Sequence, residues 1–111
     1  MNIHQLNQRL ARKKPYFGTT YSTDLYYIPR IVCKDRVTLS VQASRAHYSY
    51  PASNIGPYSA VEIGYPSMHP GEAIMEYCED CDDPTGTVYA YVPIGLVVDF
   101  INEHGGSRLS Y

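Results

Sequence analysis

Cys78-Glu79-Asp80-Cys81 sets two thiols three residues apart, the spacing at which a pair of thiolates grips one zinc ion. Structural zinc takes four ligands, so Cys33 and one of His47 or His69 would have to complete the set. A zinc ribbon carries a second paired knuckle, and this chain has none. A redox C-x-x-C opens a helix after a strand, whereas these cysteines flank acids that would raise the thiol pKa. The expectation is no metal, no cofactor and three reduced cysteines, an odd number that builds no disulfide framework.

Glu79-Asp80-Cys81-Asp82-Asp83 offers carboxylates to a hard cation but lacks the spacing and central glycine of a calcium loop. It reads as a solvated turn that keeps the next strand from edge pairing, or as an acidic docking surface for a basic groove. Ser44, His47 and Glu62 supply the residue types of a nucleophilic triad, yet no nucleophile elbow surrounds them. No catalytic residue is assigned. His47, Tyr48 and His69 are the residues of an alternative, a small-ligand binder or compact enzyme using the 44–57 loop. Arg9, Arg12, Lys13 and Lys14 followed by Tyr16 and Phe17 mix basic and aromatic groups as single-strand binders do. An isoelectric point near 6.0 argues the other way, and direct nucleic-acid binding is not expected.

Charge is divided along the chain. Residues 1–56 carry eight basic and two acidic side chains, a balance of +6, and residues 57–111 carry one against nine, a balance of −8. Such polarity steers encounters with a charged partner or lets two copies meet head to tail, so a homo-oligomer, most simply a dimer, is expected. Aromatic content is equally lopsided, with twelve Tyr, two Phe and no Trp. Tyrosine presents an apolar ring and a wet hydroxyl, which suits strand faces and binding surfaces alike. The cluster Tyr48-Ser49-Tyr50 and the pair Tyr58/Tyr65 point to the second use.

The elements that must position these groups follow from periodicity. Ile3, Leu6 and Leu10 predict a helix over 2–13, closed by Pro15. Residues 16–29 read as irregular or an edge strand. Ile31–Cys33 and Arg36–Ala43 form a hairpin, with Val37, Leu39, Val41 and Ala43 on its buried face. Residues 44–57 form a long loop, and loops of that length are often functional. Strands follow at Tyr58–Tyr65, Ile74–Tyr77 and Thr87–Val92, the last with Val88, Ala90 and Val92 inward and Tyr89 and Tyr91 outward. Pro93 opens a helix to His104 whose Ile94, Val97, Val98 and Ile101 share one face, and Gly105-Gly106 stops it. The fold class is α+β in one domain: an antiparallel sheet of four to five strands with an N-terminal and a C-terminal helix packed on it.

Apolar residues make up 44% of the chain, enough to bury a core. No apolar run approaches the ~18 residues of a membrane span. Met1–Lys14 is polar and basic, without the apolar stretch of a secretory signal, so a cytoplasmic location and no membrane contact are expected.

The block Thr38–Ser44, then His47-Tyr48, Gly56-Pro57-Tyr58, Val61–Ser67, and Val88–Pro93 with the helix to Gly106, resembles small accessory proteins encoded by bacteriophages and prophages. The resemblance covers residues 30–106 and carries no catalytic motif. It implies action in the cytoplasm of an infected bacterium, on a host protein complex such as a nucleic-acid-binding defence nuclease, in the manner of anti-CRISPR and other anti-defence proteins. The leading expectation is a non-enzymatic inhibitor or modulator acting by occlusion. Its partner-binding residues would be Tyr48, Tyr50, Tyr58, Glu72, Glu76, Glu79, Asp80, Asp82 and Asp83. A virion structural or assembly protein is the third class.

Overall fold

Asn2 starts the first helix by a reciprocal cap. Its side chain accepts from the Gln5 backbone at 2.8 Å, and the Gln5 side chain accepts from the Asn2 backbone at 2.9 Å. A computed structural model describes residues 1–15 and 26–109 of the chain. In it α1 (Ile3–Leu10) is followed by β1 (Lys14–Pro15) and β2 (Tyr26–Tyr27), a short antiparallel ribbon. The helix expected over 2–13 therefore ends earlier, because Lys14 and Pro15 leave it to pair with Tyr27 and Tyr26. Tyr16, Phe17 and the rest of 16–25 lie outside the described residues.

The main sheet is β3 (Ile31–Val32), β4 (Thr38–Gln42), β5 (Ala60–Gly64) and β6 (Val88–Pro93), antiparallel and in that order. Leu39 and Val41 of β4 and Val61 and Ile63 of β5 are fully buried and alternate with half-buried Ser40 and Glu62, the period of a sheet packed on one side. The core those residues enter also holds Leu6 and Leu10 of α1. It is completed by α3 (Ile94–Glu103), through Ile94, Val97, Val98, Phe100 and Ile101. The α+β architecture with terminal helices on an antiparallel sheet is thus present.

Gly105 and Gly106 both take left-handed backbone, at φ +89° and +88°. They return the chain so that the Gly106 N–H meets the Ile101 carbonyl at 2.9 Å and the Gly105 N–H meets that of Asn102 at 3.1 Å. Those two bonds satisfy carbonyls the helix end would otherwise leave open, and only glycine adopts that backbone without steric cost. The turn then lays the following tail along β3, where Ser107 bridges to Cys33. On the opposite side, Cys78 bridges to Tyr89 and covers the outer edge of β6. Both sheet edges are occupied, which removes the usual template for unwanted strand pairing.

Three elements differ from the sequence reading. The apolar run beginning at Ile74 is not a strand but lies in the short helix α2 (Glu72–Met75), which buries Ile74. A run of four residues, Ile74–Tyr77, is too short for its period to separate helix from strand. Tyr65, which the alternation of a strand over Tyr58–Tyr65 would place on the face of Val61 and Ile63, turns out to solvent at φ +49° as the chain leaves β5. The facing pattern of β6 is also reversed part-way. Val61 stands opposite Val92, but Ile63 stands opposite Tyr89, so β6 carries one extra residue across from Glu62. That bulge changes parity: Tyr89 and Val92 are both fully buried, and Tyr91 is pushed outward at φ +55°.

The charge division along the sequence does not become two charged bodies. β4, from the basic half, pairs with β5 from the acidic half, and Asp35 holds His104 at 2.6 Å. Several basic groups are built into the structure. Arg9 is buried and donates to the Ser107 hydroxyl at 2.7 Å, and Arg30 donates to the Tyr65 carbonyl at 2.6 Å.

Candidate functional site

Tyr91 and Tyr48 form an exposed ring pair above the bulge of β6. Their centroids lie 5.8 Å apart with planes tilted by 52°, and each residue keeps about half its surface in solvent. The pair is fixed by main chain: the Tyr91 N–H donates to the Tyr48 carbonyl at 3.1 Å. The Tyr48 N–H in turn reaches a carboxylate oxygen, Oε1 of Glu62, at 3.3 Å. Glu62 sits on β5 between core-facing Val61 and Ile63, so its side chain leaves the opposite face. Burial pushes its carboxyl above the usual range, the Glu79 charge adds to that rise, and the Tyr48 N–H partly offsets both. Glu79 is held beside this site because its N–H donates to the Val88 carbonyl of β6 at 3.1 Å.

The remaining acids fall into two groups. Asp80, Asp82 and Asp83 continue the exposed turn after Glu79, folded by a bond from the Asp80 N–H to the Thr87 hydroxyl at 2.9 Å. Glu72 lines a small groove between α2 and α3 together with Asp99 and Glu103, while Glu76 is exposed just beyond α2. Of the tyrosines expected to face a partner, Tyr48 and Tyr50 are exposed and Tyr58 is not. Tyr58 is only 3% exposed, because Asn7 of α1 brackets its backbone with bonds of 2.7 and 3.2 Å and its hydroxyl donates to the Ser53 carbonyl at 2.6 Å. It anchors the 44–57 loop to α1 instead of offering a contact surface. Cis peptide bonds precede Pro51 and Pro57 in that loop.

The catalytic and ligand alternatives can be weighed from the same geometry. Ser44 Oγ lies 2.6 Å from His47 Nδ1, the contact of a nucleophile and its base. Ser44, however, has no exposed surface, and its Oγ already accepts the Ala46 N–H at 3.1 Å. A hydroxyl enclosed in this way cannot reach a substrate, and the pair closes the turn at the start of the loop. Burial lowers the His47 pKa, with Lys13 nearby adding to the effect, which favours the neutral ring. Glu62 joins Tyr48 and has no bond to His47. His69 is exposed and accepts the Gly71 N–H at 3.0 Å, apart from the His47 contacts. A cleft of about 490 Å³ does open between α1 and the loop, beside Lys13, Asn54 and Tyr58. The ammonium that lines it is already committed, with Lys13 Nζ donating to the Tyr58 hydroxyl at 3.0 Å and the Leu10 carbonyl at 3.3 Å.

The expectation of three reduced cysteines is corrected. Cys78 and Cys81 are joined by a disulfide that closes the acidic turn, and only Cys33 is free. Cys33 is buried beside β3, at the sheet edge opposite to that covered by Cys78, so the fold never assembles the ligand set that Cys33 would have completed. No group of three or more metal-ligating side chains occurs among the described residues. No helix among them is long and apolar enough to cross a membrane.

No family model, curated protein or solved structure matches this chain. The site must be read from its own chemistry. Tyr48 and Glu79 are the members of it that the sequence singles out, whereas Tyr91 and the joining of Glu62 to Tyr48 are not legible there. Simple alternation along β6 does turn Tyr91 outward, but it would expose Tyr89 as well.

Glu62 offers a test of this geometry through stability. A carboxyl whose folded pKa is raised binds protons more readily in the folded state, so its ionisation opposes folding as pH rises through that folded value. Glu62→Gln keeps the acceptor for Tyr48 and removes the charge. It is expected to be more stable than the parent at pH 7, by on the order of half a kcal/mol or ~2–4 °C, because solvent still screens the group. The gain should vanish below the ordinary carboxylate range, where Glu62 is protonated in both states. Thermal melts of both proteins at about pH 3 and pH 7 check this, and an unchanged or lower midpoint at pH 7 would contradict the burial assigned to Glu62.

Proposed function

We propose that this chain is a small non-enzymatic binding protein that inhibits or modulates a bacterial host complex by occlusion. The observation that carries the reading is an exposed pair of tyrosine rings whose Tyr48 main chain is bonded to the Glu62 carboxylate, with Glu79 and the acidic turn 79–83 close enough to act on that carboxyl. Clustered acids accelerate encounter with a basic surface, and rigid tyrosines supply contact area at low entropic cost. The enclosure of Ser44 speaks against catalysis by the one nucleophile–base contact found among the described residues. The resemblance to phage and prophage accessory proteins favours an anti-defence role, anti-CRISPR included, in the host cytoplasm. Were the target a nuclease, the acidic turn would occupy the channel meant for nucleic acid.

Capture from bacterial lysate with matched variants tests this. Reversing Glu79, Asp80, Asp82 and Asp83 to Lys is expected to slow association with the captured partner by roughly 10-fold or more while leaving the fold intact. Tyr48→Ala and Tyr50→Ala are expected to quicken dissociation, as loss of a packed anchor does. His47→Ala should leave capture unchanged. If capture survives the acidic and tyrosine variants and is lost with His47→Ala, the ligand-binding reading of the 44–57 loop replaces this one.

A further inference from the structure

Glu62 Oε1 accepts the Tyr48 N–H, the one hydrogen bond that the Glu62 side chain makes among the described residues. Among those residues its Oε2 has no donor, and no cation pairs with the side chain. This half-buried carboxylate lies next to two exposed aromatic rings: Tyr91 is on the neighbouring strand across from it, and Tyr48 is bonded to it through the main chain. A positive charge that can lie against a ring and donate to a carboxylate oxygen at once is complementary to that juxtaposition.

We propose that Tyr48, Glu62 and Tyr91 form a receptor for a single arginine side chain of the partner protein, with Glu79 at its rim. The inference rests on the binding reading above and names the chemistry that the same surface recognises. A guanidinium is planar, weakly hydrated and forked, so one face can stack on an aromatic ring while an edge donates to a carboxylate. An ammonium is more strongly hydrated and has no plane to stack, so lysine fits the site less well. Charge complementarity singles out a cationic occupant, since a second carboxylate already raises the cost of ionising Glu62 and an arginine would relieve both.

The backbone supports the same assignment. Tyr91 sits in the left-handed region at φ +55°, where a side chain of its size is uncommon. Its ring adds nothing to the buried core, being about half exposed, so the strained position is maintained for what the ring does at the surface. The bulge that turns Tyr89 inward leaves Tyr91 outward across from Glu62, where its ring pairs with that of Tyr48.

The test uses the full chain, isotope-labelled, titrated with the blocked peptide acetyl-Gly-Arg-Gly-amide and followed by NMR. The same peptide carrying citrulline, a neutral isostere, and one carrying lysine serve as comparisons. The arginine peptide is expected to give saturable shifts centred on the Tyr48 and Tyr91 rings and the Glu62 carboxyl. The citrulline peptide should bind at least tenfold more weakly, and the lysine peptide severalfold more weakly. Glu62→Gln and Tyr91→Gly should each lose at least tenfold in affinity while remaining folded, and glycine should be no less stable than tyrosine at position 91.

Equal binding of arginine and citrulline peptides, unaltered affinity in Glu62→Gln, or shifts confined to residues 79–83 would each overturn the receptor. Concentration-dependent shifts of Tyr48 and Tyr91 without any peptide would assign the arginine to a second copy of this chain and overturn a separate partner. A failed titration alongside lysate capture that still depends on Tyr50 and the acidic turn removes the arginine receptor and keeps the binding reading. A saturable titration without any such capture does the reverse.

Discussion

Replacing Tyr89 with alanine is expected to cost about 3–5 kcal/mol, the range for truncating a fully buried aromatic side chain. Tyr89 has no exposed surface and is the largest of the fully buried residues. Its ring fills the core beside Ile63, its partner on β5, and its hydroxyl donates to the Pro84 carbonyl at 2.6 Å. Alanine leaves both a cavity and an orphaned acceptor in the turn that carries the acidic residues. Domains of this kind hold a margin of ~5–15 kcal/mol, so the variant should melt far lower or fail to fold at 37 °C. Tyr89→Phe isolates the hydroxyl and should cost about 1 kcal/mol. Tyr91→Gly, two residues on, should cost nothing. Urea titrations of the three variants decide the matter. A Tyr89→Ala midpoint equal to that of the parent would mean that β6 alternates without a bulge and that Tyr89 faces solvent.

Val97→Asp is expected to destabilise the domain by ~3 kcal/mol or more. Val97 is fully buried in the middle of α3, among Ile94, Val98 and Ile101 on the face that enters the core. A carboxylate there replaces a fully buried apolar side chain packed among apolar ones, so it must either stay protonated or open the helix–sheet contact. Asp99→Asn, on the exposed side of the same helix, controls for the change in helix charge and should stay within about 0.5 kcal/mol of the parent. Loss of dispersed amide resonances in Val97→Asp alone would locate the core where it is described. A cooperative melt at the parental temperature would refute it.

Much of the frame is legible along the chain itself. The repeat Ile94, Val97, Val98, Ile101 identifies α3 because an apolar stripe of that period has no other way to be buried. Gly105-Gly106 ends it because a helix terminus needs left-handed backbone to recover its carbonyl bonds. β4 follows from the alternation of Leu39 and Val41 with Ser40, and the α+β class follows from the order of such segments. The acidic turn is equally plain, since Glu79, Asp80, Asp82 and Asp83 have no means of being buried together.

What escapes such reading is set by neighbours distant in sequence. Tyr58 has the look of a contact residue and is a loop anchor, because Asn7 binds its backbone from fifty-one residues away. Ile74 has the look of a strand residue and is the buried side of α2. Cys78 and Cys81 have the look of ordinary thiols and are bonded, because the turn between α2 and β6 closes their separation. Composition and period determined the fold class, α3, the buried face of β4 and the acidity of one surface, since each depends on a pattern local enough to be read along the chain. Only the tertiary structure decided which tyrosines face solvent and which carboxylate is bonded beside them. A single extra residue in β6 inverts its facing, and the alternation on either side of that residue carries no mark of where the partner strand requires it.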